Sequence, residues 1–442
     1  MAKCARIMTI ENCHEPGNAR MNKPHSITEA SCADDYDPNS MPVAKAREFI
    51  HAFLAPVTGV ARVPIRSALG RVLAEDVVSP VNVPAHINSA MDGWALRHQD
   101  LAADPATALT EIGASFAGVP FDKPVRAGEC VRIFTGGIVP EGCDAVVMQE
   151  RATASGKSIT FSPGVRPGQN VRFAGEDLKA GAVALARGRT VRPAELGLLA
   201  SLGIGEIGVY RPLRVVFFST GDELRSIGST LGEGQIYDSN RYTLHGMLTR
   251  LGCEILDMGV IRDEPARLEQ AFRDASAIGD VVISSGGVSV GEADFVKALL
   301  AKLGEVVFWK IAMKPGRPLA YGKIGNAHFF GLPGNPVSVM VTFYQFVREA
   351  LLTLQGVDPL PVQPLLKATC TSAIRKAPGR TEFQRGVLYL EGGEFKVRTT
   401  GEQGSGILKS MSDANCFIML HDHVGNVDAG ATVDVQVLEG VI

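Results

Sequence analysis

No CxxC pair occurs in this chain of 442 residues, and its eight cysteines are scattered from Cys4 to Cys416. Neither a zinc framework nor a disulfide scaffold is therefore expected. Positive charge is not in excess either. Lys and Arg number 44 against 47 Asp and Glu, a net charge of -3, which disfavours a nucleic-acid partner. Any anion site must come from local lysines and arginines. No run reads as long and apolar enough to span a bilayer, and the opening residues MAKCARIMTIENCHEP lack the apolar core of a secretory signal. A cytoplasmic protein with no membrane contact is expected. Internal repeats are absent, and no Ser/His/Asp set is readable from spacing.

Familiar letter patterns fail on context. Gly203-Ile204-Gly205-Glu206-Ile207-Gly208 matches GxGxxG but follows a helical pattern and opens no helix. Gly156-Lys157-Ser158 resembles the end of a P-loop, yet Arg151 stands where the leading glycine is required. His421-Asp422-His423 offers two imidazoles without a third ligand in view.

The chain exceeds what one hydrophobic core usually serves, and its texture changes along its length. Residues 1–40 are polar and aperiodic, and read as a disordered extension carrying Cys4, Cys13 and Cys32. Residues 41–80 and 178–211 carry helical periodicity at Val43–Leu54 and Pro193–Leu202, and read as one discontinuous helical region. Between them, 81–177 alternates short Val- and Ile-rich segments with Pro and Gly turns, the pattern of a β-rich insert. Residues 212–358 alternate strands and helices, predicting a three-layer α/β domain with a mostly parallel sheet. Its helices are expected at Arg241–Leu251, at Pro265–Ala275 with Asp263 as cap, and at Phe295–Leu303 with Gly304 as stop. Residues 359–442 read as a small C-terminal β barrel.

The most informative stretch is Phe329–Ser338, Phe-Phe-Gly-Leu-Pro-Gly-Asn-Pro-Val-Ser. Two prolines stiffen the backbone, two glycines permit close approach, and Pro336 sits where proline opens a helix. A stiff strand-to-helix turn with outward amides suits an anion. In such a sheet ligands bind beyond the carboxyl ends of the strands. There the sequence places Asp222 and Glu223, Asp263, the run Ser284 to Asp294, then Lys310, Lys314 and Arg317. Aspartates before helices ordinarily cap them, and lysines are ordinarily solvated. The three glycines of Gly286–Gly291 do not serve a strand, and fit a loop approaching a phosphate. Carboxylates beside a phosphate suit Mg2+.

With these residues assembled, the chain resembles the MoeA family of molybdenum-cofactor biosynthesis, the molybdopterin molybdenumtransferases, and the related E domain of gephyrin. Five motifs in order carry the resemblance: Asn88-Ser89-Ala90-Met91-Asp92-Gly93-Trp94-Ala95, Ile133-Phe134-Thr135-Gly136-Gly137, Ser219-Thr220-Gly221-Asp222-Glu223-Leu224, Gly286-Gly287-Val288-Ser289-Val290-Gly291 and Gly331-Leu332-Pro333-Gly334-Asn335-Pro336. It covers the chain from about Met41 onward. The resemblance implies an elongated homodimer of four-domain subunits whose active cleft lies between subunits. It also implies that adenylylated molybdopterin and molybdate are the substrates, and that molybdenum enters the dithiolene with Mg2+-dependent release of AMP. Contacts with a molybdopterin adenylyltransferase and with molybdoenzymes are implied as well.

Carried over by motif, the functional positions are Asp92, Thr135, Asp177, Glu223, Asp263, Asp294, Lys310 and Lys314 for catalysis. Ser284, Gly286, Gly287, Ser289, Arg317, Pro333, Pro336, Arg380 and Ser405 fall to substrate binding, and Glu223 and Asp294 to the metal. Trp94 stands where the family commonly has Tyr, keeping an aromatic wall without its hydroxyl, and Gly137 replaces a frequent alanine, implying a looser turn. Two alternatives stay open: the adenylyltransferase that shares the α/β domain, which would release pyrophosphate from ATP, and a gephyrin-like peptide scaffold.

Overall fold

The computed structural model describes residues 41–101, 107–287 and 294–438, without the side chains of Asp294 and Phe295. The 1–40 extension, Ser289 and the Asp294 carboxylate therefore lie outside the described residues. Two compact units emerge: Ala55–Leu213 with Leu352–Pro361, and the remainder of the described chain.

In the first unit β1 (Val60–Pro64) pairs antiparallel with β8 (Glu206–Tyr210), joining segments far apart in sequence. Between them lie β2 (Gly93–Leu96), β3 (Ala108–Ser115), β4 (Glu129–Ile133), β5 (Ala145–Met148), β6 (Ala152–Ser155) and β7 (Ser158–Phe161). These form a six-stranded sheet in the order β5-β2-β4-β3-β7-β6. Its short strands bury alternate Val, Ile and aromatic side chains, including Trp94, Val147 and Phe161. Trp94 is thus a core residue, with its indole N–H on Glu111 at 2.7 Å and the Arg132 guanidinium 4.2 Å above its ring. The aromatic-wall reading of this position does not hold. Gly156 and Lys157 form the tight turn between β6 and β7, with Gly156 at φ +63°.

Helix α1 (Pro193–Ser201) begins with proline at its first turn, and Gly203 at φ +72° follows its end. Its Glu195 is 2% exposed yet ionised, because it accepts from the Arg192 and Arg189 guanidinium groups and the Arg192 backbone. The Arg192 contact foremost pulls the carboxyl down to about 2.

The second unit is built on β9 (Arg214–Thr220), α2 (Ser239–Arg250), β10 (Glu254–Ile261), α3 (Pro265–Ile278), β11 (Val281–Ser285), α4 (Asp294–Leu303), β12 (Gly304–Lys310), β13 (Met313–Lys314), β14 (Pro318–Ile324) and β15 (Ala327–Leu332). A six-stranded sheet runs β10-β9-β11-β15-β14-β12. The first three pairings are parallel and the two around β14 antiparallel. The carboxyl ends of β9, β10, β11, β15 and β12 therefore share one edge. Strand β14 is hidden in the sequence, since Pro315-Gly316-Arg317-Pro318 at its start reads as loop. Phe218, Phe272 and Phe329 meet edge to face at 5.2 and 5.5 Å in the layer between sheet and helices.

After β15, helix α5 (Pro336–Thr342) opens a helical run that continues through a π turn to Leu354. This 19-residue run is long and apolar enough on length and composition to cross a bilayer, contrary to the sequence expectation, but 67% of its apolar window is buried inside the protein. It is a core helix.

Strands β16 (Leu365–Cys370), β17 (Thr381–Glu391), β18 (Glu394–Thr399), β19 (Cys416–Leu420) and β20 (Thr432–Val437) close into a barrel because β17 pairs with both β18 and β19. A short helix α6 (Leu408–Asp413) precedes β19. Strand β13 adds in parallel to β17 and ties the barrel to the α/β part.

Three local expectations change. Helix α2 starts at Ser239, two residues early, because the Asp238 carboxylate accepts from the Arg241 amide and caps it. The cap position of α3 is Glu264, so Asp263 is not the cap. Gly304 opens β12 rather than ending a helix, and a Cβ there would lie 1.9 Å from the Lys323 carbonyl oxygen.

Glu195→Gln should destabilise the first unit by about 1–3 kcal/mol at neutral pH. A carboxyl held below its ordinary 4.5 stabilises fully above that value, and the contribution is lost as pH falls towards 2. Denaturant melts of both proteins across that range should converge at the acid end.

Candidate active site

The sheet reverses its winding between β9 and β11, since the chain leaves β9 for β10 on one side and later passes to β15 on the other. Parallel sheets open a crevice at such a point. Here it is a cavity of about 350 Å3 lined by residues from four loops, among them Thr220, Glu223, Asp238, Asn240, Ser285 and Asn335.

Each loop is held by local chemistry. Gly286, at φ +93°, donates its amide to the Leu332 carbonyl at 3.1 Å, and a Cβ on it would sit 2.5 Å from the Thr220 carbonyl oxygen. Gly287, at φ +69°, lies equally tight against the Thr220 hydroxyl. At these two glycines the close approach is to the neighbouring loop. Asn240 donates its amide group to Ser285 Oγ at 2.9 Å and to the Gly334 carbonyl at 2.6 Å, joining α2, β11 and the prolyl turn. Pro333 accepts from Ser285 Oγ, and Pro336 is the first residue of α5. The Val337 amide is not outward but donates to the Ser405 carbonyl at 3.1 Å. That bond brings the barrel loop holding Ser405 against the turn. Ser284 is buried in β11, and its neighbour Ser285 lines the crevice instead.

Polar demand inside the crevice is unmet. Thr220 Oγ1, Asp238 Oδ2 and Asn240 Oδ1 are buried with no hydrogen-bond partner among the described residues. Among the described residues no Lys, Arg or His lines the cavity, while Glu223 and Asp238 bring two carboxylates to it. An all-oxygen set with one or two carboxylates fits Mg2+, which keeps waters and substrate oxygens for its other positions. No group of three or more His, Cys, Asp and Glu occurs among the described residues, so the fit is to a shared cation rather than a protein cage.

Lys310, Lys314, Arg317 and Arg380 do not line this cavity. They form a basic strip along the same edge of the unit. Lys310 ends β12 opposite Pro318, which puts Arg317 beside it, and Lys314 faces Glu382 in the β13–β17 register. Arg380 pairs with the buried Glu382 at 3.2 Å. Asp263 lies in the loop beyond β10, outside the cavity lining.

In the first unit Asp92 and Thr135 are brought together. Asp92 Oδ1 accepts from the Thr135 amide at 2.7 Å and from its hydroxyl at 2.8 Å. These bonds, the backbone one foremost, hold the exposed Asp92 carboxyl below the usual carboxylate range. The turn carrying Thr135 is tight rather than loose: Gly136 sits at φ +81°, and a Cβ on Gly137 would meet the Ser115 carbonyl oxygen at 2.8 Å. Asp177 follows Gly175 on a loop whose amides donate to Val83 and Pro84.

Sequence reasoning missed Asp238, Asn240 and Ser285. The usable signal was Asp238-Ser239-Asn240 at the head of a helix, a capping pattern.

Three family models match in succession: MoeA N-terminal region (domain I and II) over residues 41–203, probable molybdopterin binding domain over 217–353, and MoeA C-terminal region (domain IV) over 367–438. The chain is 49% identical over 374 residues to a molybdopterin molybdenumtransferase of Haemophilus influenzae, covering 84% of this chain and 92% of that protein. It is 34% identical to one of Nostoc, covering 85% and 88%. A crystal structure of the molybdopterin biosynthesis MoeA protein of Pyrococcus horikoshii superposes with a TM-score of 0.77 at 30% identity, covering 90% of this chain and all of that one.

Thr135→Val removes the hydroxyl donor to Asp92 but keeps the backbone one. The Asp92 carboxyl should then titrate part of the way back up to its ordinary range, as read by carbon-13 NMR of the side chain.

Proposed function

We propose that this chain, which belongs to the MoeA family, transfers molybdenum from molybdate into adenylylated molybdopterin with release of AMP. What supports the reading is the pairing of two unlike electrostatic zones on one sheet edge: an oxygen-lined crevice with two carboxylates, and a strip of four cations beside it. A nucleotide-activated pterin carries a phosphoanhydride, and molybdate is a dianion. The first calls for a cation in the crevice, the second for fixed positive charge nearby.

Glu223 would hold Mg2+ in the crevice, where the ion would supply Lewis-acid polarisation of the phosphoanhydride. The chain's own residues do the rest of the binding. Gly286 and Gly287 keep the β11 loop tight against Thr220, so the crevice stays narrow. The Pro333–Pro336 turn and the Ser405 loop, stitched by the Val337 amide, form its other wall. Lys310, Lys314, Arg317 and Arg380 hold oxyanions along the strip, with Glu382 fixing the Arg380 guanidinium in place. Asp92, kept ionised by Thr135, and Asp177 belong to the other unit. In this reading the working species is a homodimer whose partner copy presents them to the cleft, and light scattering should give twice the chain mass.

The test is turnover of purified adenylylated molybdopterin with molybdate and Mg2+, following AMP and active cofactor together. Wild-type protein should release AMP only when molybdate is present. Glu223→Gln should lower that release about a hundredfold or more while leaving the melting temperature unchanged. Pyrophosphate release from ATP and molybdopterin, or normal AMP release by the folded variant, would refute the assignment.

A further inference from the structure

Asp238 is the least explained charge in the molecule. It is 2% exposed, and one carboxylate oxygen, Oδ1, caps helix α2 through the Arg241 amide. The other, Oδ2, is buried without a partner among the described residues. An N-cap does not need a charge here, because Asn and Ser cap as well as Asp. Burying a carboxylate oxygen unpaired is costly. The guanidinium of Arg241, whose amide Asp238 caps, is already engaged by both oxygens of Asp257 at 2.6 and 2.8 Å. The helix amide explains one oxygen and leaves the other unpartnered, on a residue that lines the crevice.

Its neighbours carry the same surplus. Asn240, 7% exposed, spends its NH2 on Ser285 and Gly334, which fixes its orientation and leaves Oδ1 as an unmet acceptor. Thr220, also 7% exposed, adds an unpartnered hydroxyl. Three orphaned oxygens from β9 and the head of α2, on residues lining a cavity without a cationic side chain among the described residues, call for a donor that the described residues do not supply. A neutral ligand offering hydroxyl donors would bring no positive charge to a crevice lined by two carboxylates. A hard divalent cation meets both needs.

We propose that Asp238 is the fixed protein ligand of the divalent cation in this crevice, supported by the Asn240 and Thr220 oxygens, with the exposed Glu223 as its movable second carboxylate. The proposal rests on the reading of the crevice as the Mg2+ site. It adds that the buried anchor is a residue no motif pointed to.

The experiment uses the full chain and Mn2+ alone as a paramagnetic probe, read by EPR. Wild-type protein should bind one Mn2+ per chain that excess Mg2+ displaces. Asp238→Asn keeps the size and the helix cap but loses the charge, and should weaken Mn2+ binding about tenfold or more, since even residues behind a ligand cost that much. Without metal, this variant should melt at the same or a higher temperature than wild type, because an unpaired buried charge has gone. The rise in melting temperature that Mg2+ gives wild type should disappear. A merely structural cap predicts neither change. Asp238→Ser, which also caps, serves if the asparagine variant does not fold. Wild-type protein that binds no displaceable Mn2+, or folded variants that bind it as wild type does, would overturn the proposal. Failure is separable from failure of the functional reading. Molybdate-dependent AMP release with unchanged Mn2+ binding in the variants removes this ligand alone, whereas Mn2+ binding through Asp238 without any such turnover removes the reaction and leaves the site.

Discussion

The contact on which the rest depends is backbone against backbone: Gly286 seated on the carbonyl of Thr220, where a Cβ would come within 2.5 Å. Two adjacent parallel strands, β9 and β11, end side by side, and the chain must leave them in opposite directions. Only a residue without a side chain and with positive φ lets the second loop turn away that close to the first. The crevice is the space left between the departing loops. Its lining follows from which residues happen to lie at or just past each strand end: Thr220 and Glu223 from one, Ser285 from the next, and the Gly334–Pro336 turn from the third.

The edge so made is electrically divided. On the crevice side, oxygens outnumber available donors, and carboxylates stand without lysines or arginines. Towards β12 and β13 the balance reverses, and cations gather around a single buried carboxylate, Glu382. Neither zone would be stable as a fully desolvated cluster of like charge. Each remains tolerable because one is open to ligand and the other is half in water. A substrate bearing both a nucleotide phosphate and a metal oxyanion matches that division better than any single anion does.

Much of this was legible in the sequence, for reasons that can be named. Alternating apolar runs with turn residues between them gave the β/α alternation, because burial on both faces of β9, β11 and β15 forces continuous hydrophobic strands. Pro336 gave the start of α5 because proline's fixed φ is useful only there. Other features were hidden. Strand β14 begins on the last proline of a Pro-Gly-Arg-Pro stretch that advertises a loop, and only pairing on both sides makes it a strand. Gly304 looked like a helix stop because nothing in the sequence shows Lys323 lying across it. Trp94 passed for a cleft wall because its partners, Glu111 and Arg132, are 17 and 38 residues away along the chain and adjacent only in the folded sheet. Asp238 escaped for a subtler reason. Its capping role is fully visible in the sequence, and a sufficient explanation for one oxygen conceals the question posed by the other.

The hydrogen bond from the Val337 amide to the Ser405 carbonyl, together with the β13–β17 ladder, has a bearing on how such a chain can change over generations. The barrel meets this edge of the sheet through main-chain atoms, which no point substitution short of proline deletes. The junction itself does not depend on the identity of either side chain, although Val337 is separately fixed by its burial in the core. A barrel grafted from a distant relative would have to present a carbonyl at the same height above the helix, whatever residue carried it.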